Sequence, residues 1–95
     1  MKIIVTRHPA LLELLQERGL VEAGVEVIAH ATPEAISGKH VIGVLPLALA
    51  AKAASITEIP LKLTPELRGK ELSLATLRRV AGEPCTYTVQ VSPRR

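Results

Sequence analysis

The chain has 95 residues, of which 47% are apolar and 22% charged, and its twelve Lys and Arg against nine Glu leave a net charge of +3. That length fits one small domain, residues 1–95, with a limited core. With no Phe or Trp and Tyr87 as the single aromatic, the core falls to Leu, Ile, Val and Ala, and base stacking on a ring is excluded away from Tyr87. The excess charge gathers only at Arg78-Arg79 and Arg94-Arg95, which does not describe a duplex-DNA-tracking surface, and the lone Cys85 excludes an internal disulfide or a Cys-rich zinc site.

Lys2 to Thr6 is apolar on both faces and predicts a buried parallel strand. Pro9 opens a helix at once, where its missing N–H costs nothing. Leu11, Leu12 and Leu15 form its inward stripe, Glu13, Gln16, Glu17 and Arg18 face water, and Gly19 stops it. Val25 to His30 is a second strand, followed by a loop at Thr32-Pro33-Glu34 with room for an irregular helical turn.

Val41, Ile42 and Val44 predict a third, buried strand, and Pro46 opens an Ala-rich helix running through Leu47, Leu49, Ala50 and Ala53. Ile59 to Leu63 is expected as the fourth strand, with Pro60 marking a start or an edge. Thr64-Pro65-Glu66 predicts a short helix start limited by Gly69, and Ser73 caps a last helix over "SLATLRRVA". Thr86 to Val91 alternates as a strand covered on one face, and Cys85 beside it is expected to pack. The order defines an α/β fold class: a single Rossmann-like domain whose mainly parallel sheet of about five strands is flanked by helices.

No span is expected in the membrane, because the apolar run Val41 to Ala51 is short and broken by Gly43 and Pro46. Met1 leads directly into the first strand without the pattern of a leader, so a cytoplasmic protein is expected.

Open parallel sheets bind ligands beyond the carboxyl ends of their strands. Three such junctions carry distinctive chemistry: Thr6-Arg7-His8-Pro9, Gly43-Val44-Leu45-Pro46 and Leu63-Thr64-Pro65. Proline-started helices after the first two would aim unpaired N–H groups at one edge, and Gly43 would let a ligand's backbone approach. Arg7 suits an anion and its charge, and the His8 imidazole suits proton transfer near neutral pH. The bland alternative is that His8 caps the helix and Arg7 is a surface charge. Thr6 is suited either to a phosphate or to ending the strand. His30, ending the second strand, is placed to look toward the cleft of His8, whereas His40 falls at the amino end of its strand and reads as structural. Arg68 and Lys70 flank Gly69, within reach of an anion or in solvent. The histidines lack an Asp or a nearby acidic partner, so no metal and no cofactor are expected.

The Gly-rich dinucleotide loop, the Walker lysine motif, Cys-x-x-Cys and Gly-x-Ser-x-Gly do not occur. Arg7-His8 has a weak similarity to the Arg-His-Gly of histidine phosphatases, but Pro9 replaces the glycine and the chain is too short for that fold's second histidine and acid.

A more specific match rests on "VTRHPA" (5–10), "VIAH" (27–30), "VIGVLPLALAA" (41–51) and "LTPELRGKELS" (63–73), in that order. On these stretches the chain resembles a small family of CRISPR-associated proteins found beside type III systems, whose members look like ring nucleases degrading cyclic oligoadenylates. It departs from them in reading His8-Pro9-Ala10 where a glycine is common, and Leu14-Leu15 where the first helix carries an aromatic. Residues 82–95 lie beyond the match.

The resemblance implies cyclic tetra-adenylate as ligand, a Rossmann-like fold and an off-switch role. It makes Arg7 and His8 the catalytic pair and Thr6, His30, Gly43, Val44, Leu45, Pro46 and Arg68 the ligand-binding set. The implied chemistry needs no metal: a tethered 2′-hydroxyl attacks its own 3′-phosphate, leaving a 2′,3′-cyclic phosphate. A homodimer is expected, since a tetranucleotide ring is wide for so small a domain and its symmetry suits two half-sites. The same cations would also serve a sensor or sponge that binds the ring without turnover. Two further possibilities compete with these: a phosphomonoesterase with His8 as nucleophile, and a ligand-free structural partner of the CRISPR machinery.

Overall fold

The computed structural model describes residues 1–69 and 72–92, so Lys70 and the terminal Arg94-Arg95 pair lie outside the described residues. Five strands and four helices alternate: β1 (Lys2–Val5), α1 (Pro9–Glu17), β2 (Glu26–Ile28), α2 (Pro33–Ile36), β3 (His40–Ile42), α3 (Leu47–Ala50), β4 (Ser55–Glu58), α4 (Leu74–Val80) and β5 (Cys85–Tyr87). The sheet order is β2-β1-β3-β4-β5. The first four strands are parallel, and only β5 runs antiparallel, on β4. The α/β fold with a largely parallel five-stranded sheet is therefore the one expected.

Adjacent residues of the central strand separate two cores, because side chains alternate across a pleated strand. Ile4 joins Leu15, Val21, Ile42 and Ile59 on the face covered by α1. Ile3 joins Ile36 and Val41 on the other face, where Ala35 of α2 and Leu49 of α3 pack. β1 to β2 runs one way across the sheet with α1 on one face, while β2 to β3 and β3 to β4 run the other way with α2 and α3 on the other face, so the three crossovers share one hand. The reversal leaves the topological switch point between the carboxyl ends of β1 and β3.

Several boundaries differ from the sequence expectation. The fourth strand is Ser55–Glu58, not Ile59 to Leu63. Its Ser-Ile-Thr-Glu pattern pairs with both neighbours, and Pro60, lacking an N–H, stands just beyond its end. The stretch after it makes one antiparallel bridge, Leu61 to Ala81. α3 has four residues, and Pro46 is its N-cap instead of its first residue. Thr64 to Gly69 is a turn without a helix, with Leu67 N–H donating to the Thr64 carbonyl at 3.0 Å. The loop after β2 contains α2, capped by the Thr32 hydroxyl. In α1 the fully buried residues are Leu14 and Leu15, with Leu11 and Leu12 half-buried. β1 and β2 are shorter than expected, although Thr6 N–H still donates to the Ile28 carbonyl at 3.0 Å. The last strand covers Cys85–Tyr87 instead of Thr86 to Val91, and Cys85 is exposed on it instead of packed. Its register is supported by the facing hydroxyls of Thr57 and Thr86, 2.8 Å apart.

α1 packs against α4. Arg78 Nε donates to Glu17 Oε2 at 2.9 Å, which holds the Glu17 carboxyl below the usual carboxylate range and raises the guanidinium. Arg18 donates to the carbonyls of Gly82 at 2.9 Å and Ala81 at 3.3 Å. These contacts fix the angle at which α1 leaves β1.

Candidate functional site

The carboxyl edge is built from the turn that joins β1 to α1. Thr6 Oγ1 accepts the backbone N–H of His8 at 3.1 Å, curling the chain before Pro9 starts the helix. Thr6 thus sets the turn and keeps its hydroxyl hydrogen for another acceptor. His8 occupies the N-cap with extended backbone, and its side chain makes no capping hydrogen bond. The imidazole is therefore not the helix cap that the bland alternative made it, and the ring is exposed.

Arg7 leans toward the neighbouring strand. Its Nη2 lies 3.0 Å from His30 Nδ1 and 3.4 Å from Nε2. A guanidinium only donates, so the His30 nitrogen is the acceptor in this contact. The ends of β1 and β2 are thereby tied together at their tips. His30 meets Arg7 directly, a contact not specified by the expectation that His30 looks toward the cleft of His8. Both side chains are exposed, leaving the remaining donors of the guanidinium open to an anion.

Gly43 stands at the end of β3 with φ +147, a backbone region open to glycine. A Cβ there would lie 2.5 Å from the Val5 carbonyl oxygen. The close neighbour that demands glycine is the protein's own β1. Val44 projects outward, 72% exposed, Leu45 is half-buried against the second core, and Pro46 is exposed as the N-cap of α3. Val44, Leu45, Leu47 and Tyr87 share the lining of a cavity of about 320 Å³.

On the opposite face of the sheet, Arg7 and His8 line a second cavity, of about 570 Å³. Its other walls include Leu11 of α1, Leu61 and Leu63 after β4, Leu67 in the following turn, and Leu72 and Leu77 at α4. Two of the stretches quoted above, "VTRHPA" and "LTPELRGKELS", meet in its lining, although neither shows a cavity when read alone. Leu61 and Leu63 beyond Pro60, in the stretch expected as a strand, also face it. On the turn bordering it, the Glu66 carboxyl is held below its usual range by its own backbone N–H and by the Thr64 hydroxyl.

Arg68 is exposed on that turn, and among the described residues no hydrogen bond joins it to Arg7, His8 or His30. His40 stands at the amino end of β3, where its Nδ1 meets Ser55 Oγ at 2.7 Å, away from the carboxyl edge. Among the described residues no group of three or more His, Cys, Asp or Glu is placed to hold a metal ion. Among the same residues no helix is long and apolar enough to cross a membrane.

Fold and site together define a doubly wound α/β protein with an arginine–histidine cluster at the carboxyl edge beside its switch point. Over residues 3–90 the chain matches the model of the CRISPR-associated protein family Cas_VVA1548, and it belongs to that family. No curated protein and no solved structure gives a significant match.

Proposed function

We propose that this protein cleaves cyclic tetra-adenylate to linear adenylates with 2′,3′-cyclic phosphate ends, and so switches off type III CRISPR signalling. Membership of a CRISPR-associated family supports the setting. The observation that carries the chemistry is the Arg7–His30 contact at the tips of β1 and β2, next to an imidazole with no capping duty.

The 2′-oxygen of one ribose attacks the adjacent 3′-phosphorus. The O2′–P bond forms, the P–O5′ bond to the next nucleotide breaks, one proton leaves the 2′-hydroxyl and one arrives on the departing 5′-oxygen. Arg7 binds the non-bridging oxygens and offsets charge as it accumulates. His8 exchanges the proton with the 2′-hydroxyl or the 5′-oxygen. Thr6 contributes its free hydroxyl hydrogen, and His30 holds the guanidinium in place. Two copies would supply two half-sites to a symmetric ring, and the exposed Val44, Leu47 and Tyr87 are apolar surface consistent with a homodimer.

The test is incubation with cyclic tetra- and hexa-adenylate in EDTA, with separation of products. Linear adenylates ending in 2′,3′-cyclic phosphate are expected from the tetramer. Recovery of the intact ring after denaturation would replace this reading with a binding module that sequesters the messenger. Release of inorganic phosphate would indicate a phosphomonoesterase.

A further inference from the structure

We infer that the leucine-walled cavity beside Arg7 and His8 is a nucleobase pocket that receives one adenine of the ligand, an inference that rests on the ring-cleaving reading. The cavity's volume, about 570 Å³, is within the range that encloses small-molecule ligands. Six leucines contributed by α1, α4 and the segment between β4 and α4 make its walls apolar. Its two ionisable lining residues, Arg7 and His8, are exposed, with Leu61 beside them at the rim, whereas Leu77 is fully buried and Leu11, Leu63, Leu67 and Leu72 are half-buried. The polarity therefore runs from a cationic mouth to an apolar interior.

A nucleotide has the complementary polarity. Its phosphate is anionic, and its base offers two apolar faces at a distance of one ribose. With the phosphate on Arg7, the attached base is at the mouth of the cavity. In a chain with one aromatic residue, leucine side chains replace stacking by dispersion contact on both faces of the base. Leucine side chains also offer no hydrogen bonds. A base that enters must leave few polar edge groups unpaired, because each buried group without a partner weakens binding. Adenine carries fewer such groups than guanine, whose carbonyl, ring N–H and exocyclic amine would all need partners. Selection for adenine then follows from desolvation.

The probe is cyclic tetra-adenylate with one adenine replaced by fluorescent 2-aminopurine. On binding to the wild-type protein, emission should rise as the base leaves its stacked neighbours for the leucine walls. Leu67→Trp, which fills the cavity from a half-buried turn position, should weaken binding of the unlabelled ring about tenfold or more without shifting the melting temperature. A ring carrying guanine in place of adenine should bind at least about fivefold more weakly.

Unchanged emission in the bound complex overturns the pocket while leaving the ring reading intact, and this measurement stands even if Leu67→Trp does not fold. Equal affinity of a folded Leu67→Trp variant overturns it as well. If the wild-type protein binds no ring at all, the ring reading fails. In that case 2-aminopurine riboside 5′-monophosphate tests the pocket alone, and its failure to bind, or its indifference to Leu67→Trp, overturns the inference. Binding of decanoate at this cavity with no nucleotide binding would assign it to an acyl chain instead.

Discussion

Replacing Gly43 by alanine should be among the most damaging single-methyl changes in the molecule. Two costs combine there. The backbone at φ +147 lies where side chains other than hydrogen are strained, a cost of about 1–3 kcal/mol. The new methyl would also sit 2.5 Å from the carbonyl oxygen of Val5. That oxygen belongs to β1, which pairs with β2 on one side and β3 on the other, so it cannot withdraw without disturbing both ladders. Forced overpacking of this kind costs a further ~1–3 kcal/mol. The sum, about 2–6 kcal/mol, is a large part of the 5–15 kcal/mol that typically holds a domain together. Even the lower end corresponds to a fall in Tm of roughly 10 °C for a chain of this size. The matched control is Gly24→Ala, where φ is +87 and the methyl meets nothing within 4 Å, so that only backbone strain is charged. Urea titration and thermal melts followed by circular dichroism compare the two. If Gly43→Ala loses no more stability than Gly24→Ala, the close approach of β1 and β3 is not what requires glycine, and the account of the switch point fails.

Arg7→Ala should weaken ring binding and slow cleavage together, whereas His8→Ala should lower turnover by about 10²- to 10⁴-fold with little change in affinity, read from single-turnover rates and calorimetry beside a melting curve. Ser73→Ala removes the hydroxyl that accepts Thr76 N–H at 3.2 Å and should cost about 1 kcal/mol in denaturant titration. The Glu17–Arg78 pair gives a pH signature: the folded carboxyl titrates below its unfolded value, so its stabilisation is complete above the ordinary carboxylate range and is lost as pH falls through the lowered value. A double-mutant cycle of Glu17→Gln and Arg78→Ala should accordingly show coupling at neutral pH that disappears in acid. Addition of EDTA should leave the cleavage rate unchanged.

Buried strands are legible where hydrophobicity is continuous: Ile3-Ile4 and Val41-Ile42 are the sheet's interior, and their parallel pairing follows from the helices between them. β4 is not legible, because Ser55, Thr57 and Glu58 look like a loop when read alone. Their strand state comes from pairing with β3 and β5, which is tertiary and has no local signature. The apolar Ile59 to Leu63 stretch attracts the assignment instead, yet its leucines face a cavity. At the site, the importance of the β1–α1 corner can be read from Arg7, His8 and Pro9. The contact of Arg7 with His30 spans 23 residues and depends on two strand tips emerging side by side. Gly43 is marked by its sequence setting as a place of close approach, but only the register shows that the approaching group is Val5.

The clasp between Arg18 and the carbonyl of Gly82 closes a sequence separation of 64 residues. Closing so long a loop carries an entropic cost that local contacts do not, which makes this corner a late event in folding. On the ribosome, at 5–20 residues per second, Gly82 is added roughly 3–13 s after Arg18. For most of that interval, once His30 has been added, the nascent chain contains Thr6, Arg7, His8 and His30, but α1 has no α4 to lean on. A polypeptide truncated before the last helix would therefore hold Thr6, Arg7, His8 and His30 without the contacts that tie α1 to α4. On the ring-cleaving proposal, a product truncated before the C-terminal fifth of the chain should be inert toward the ring.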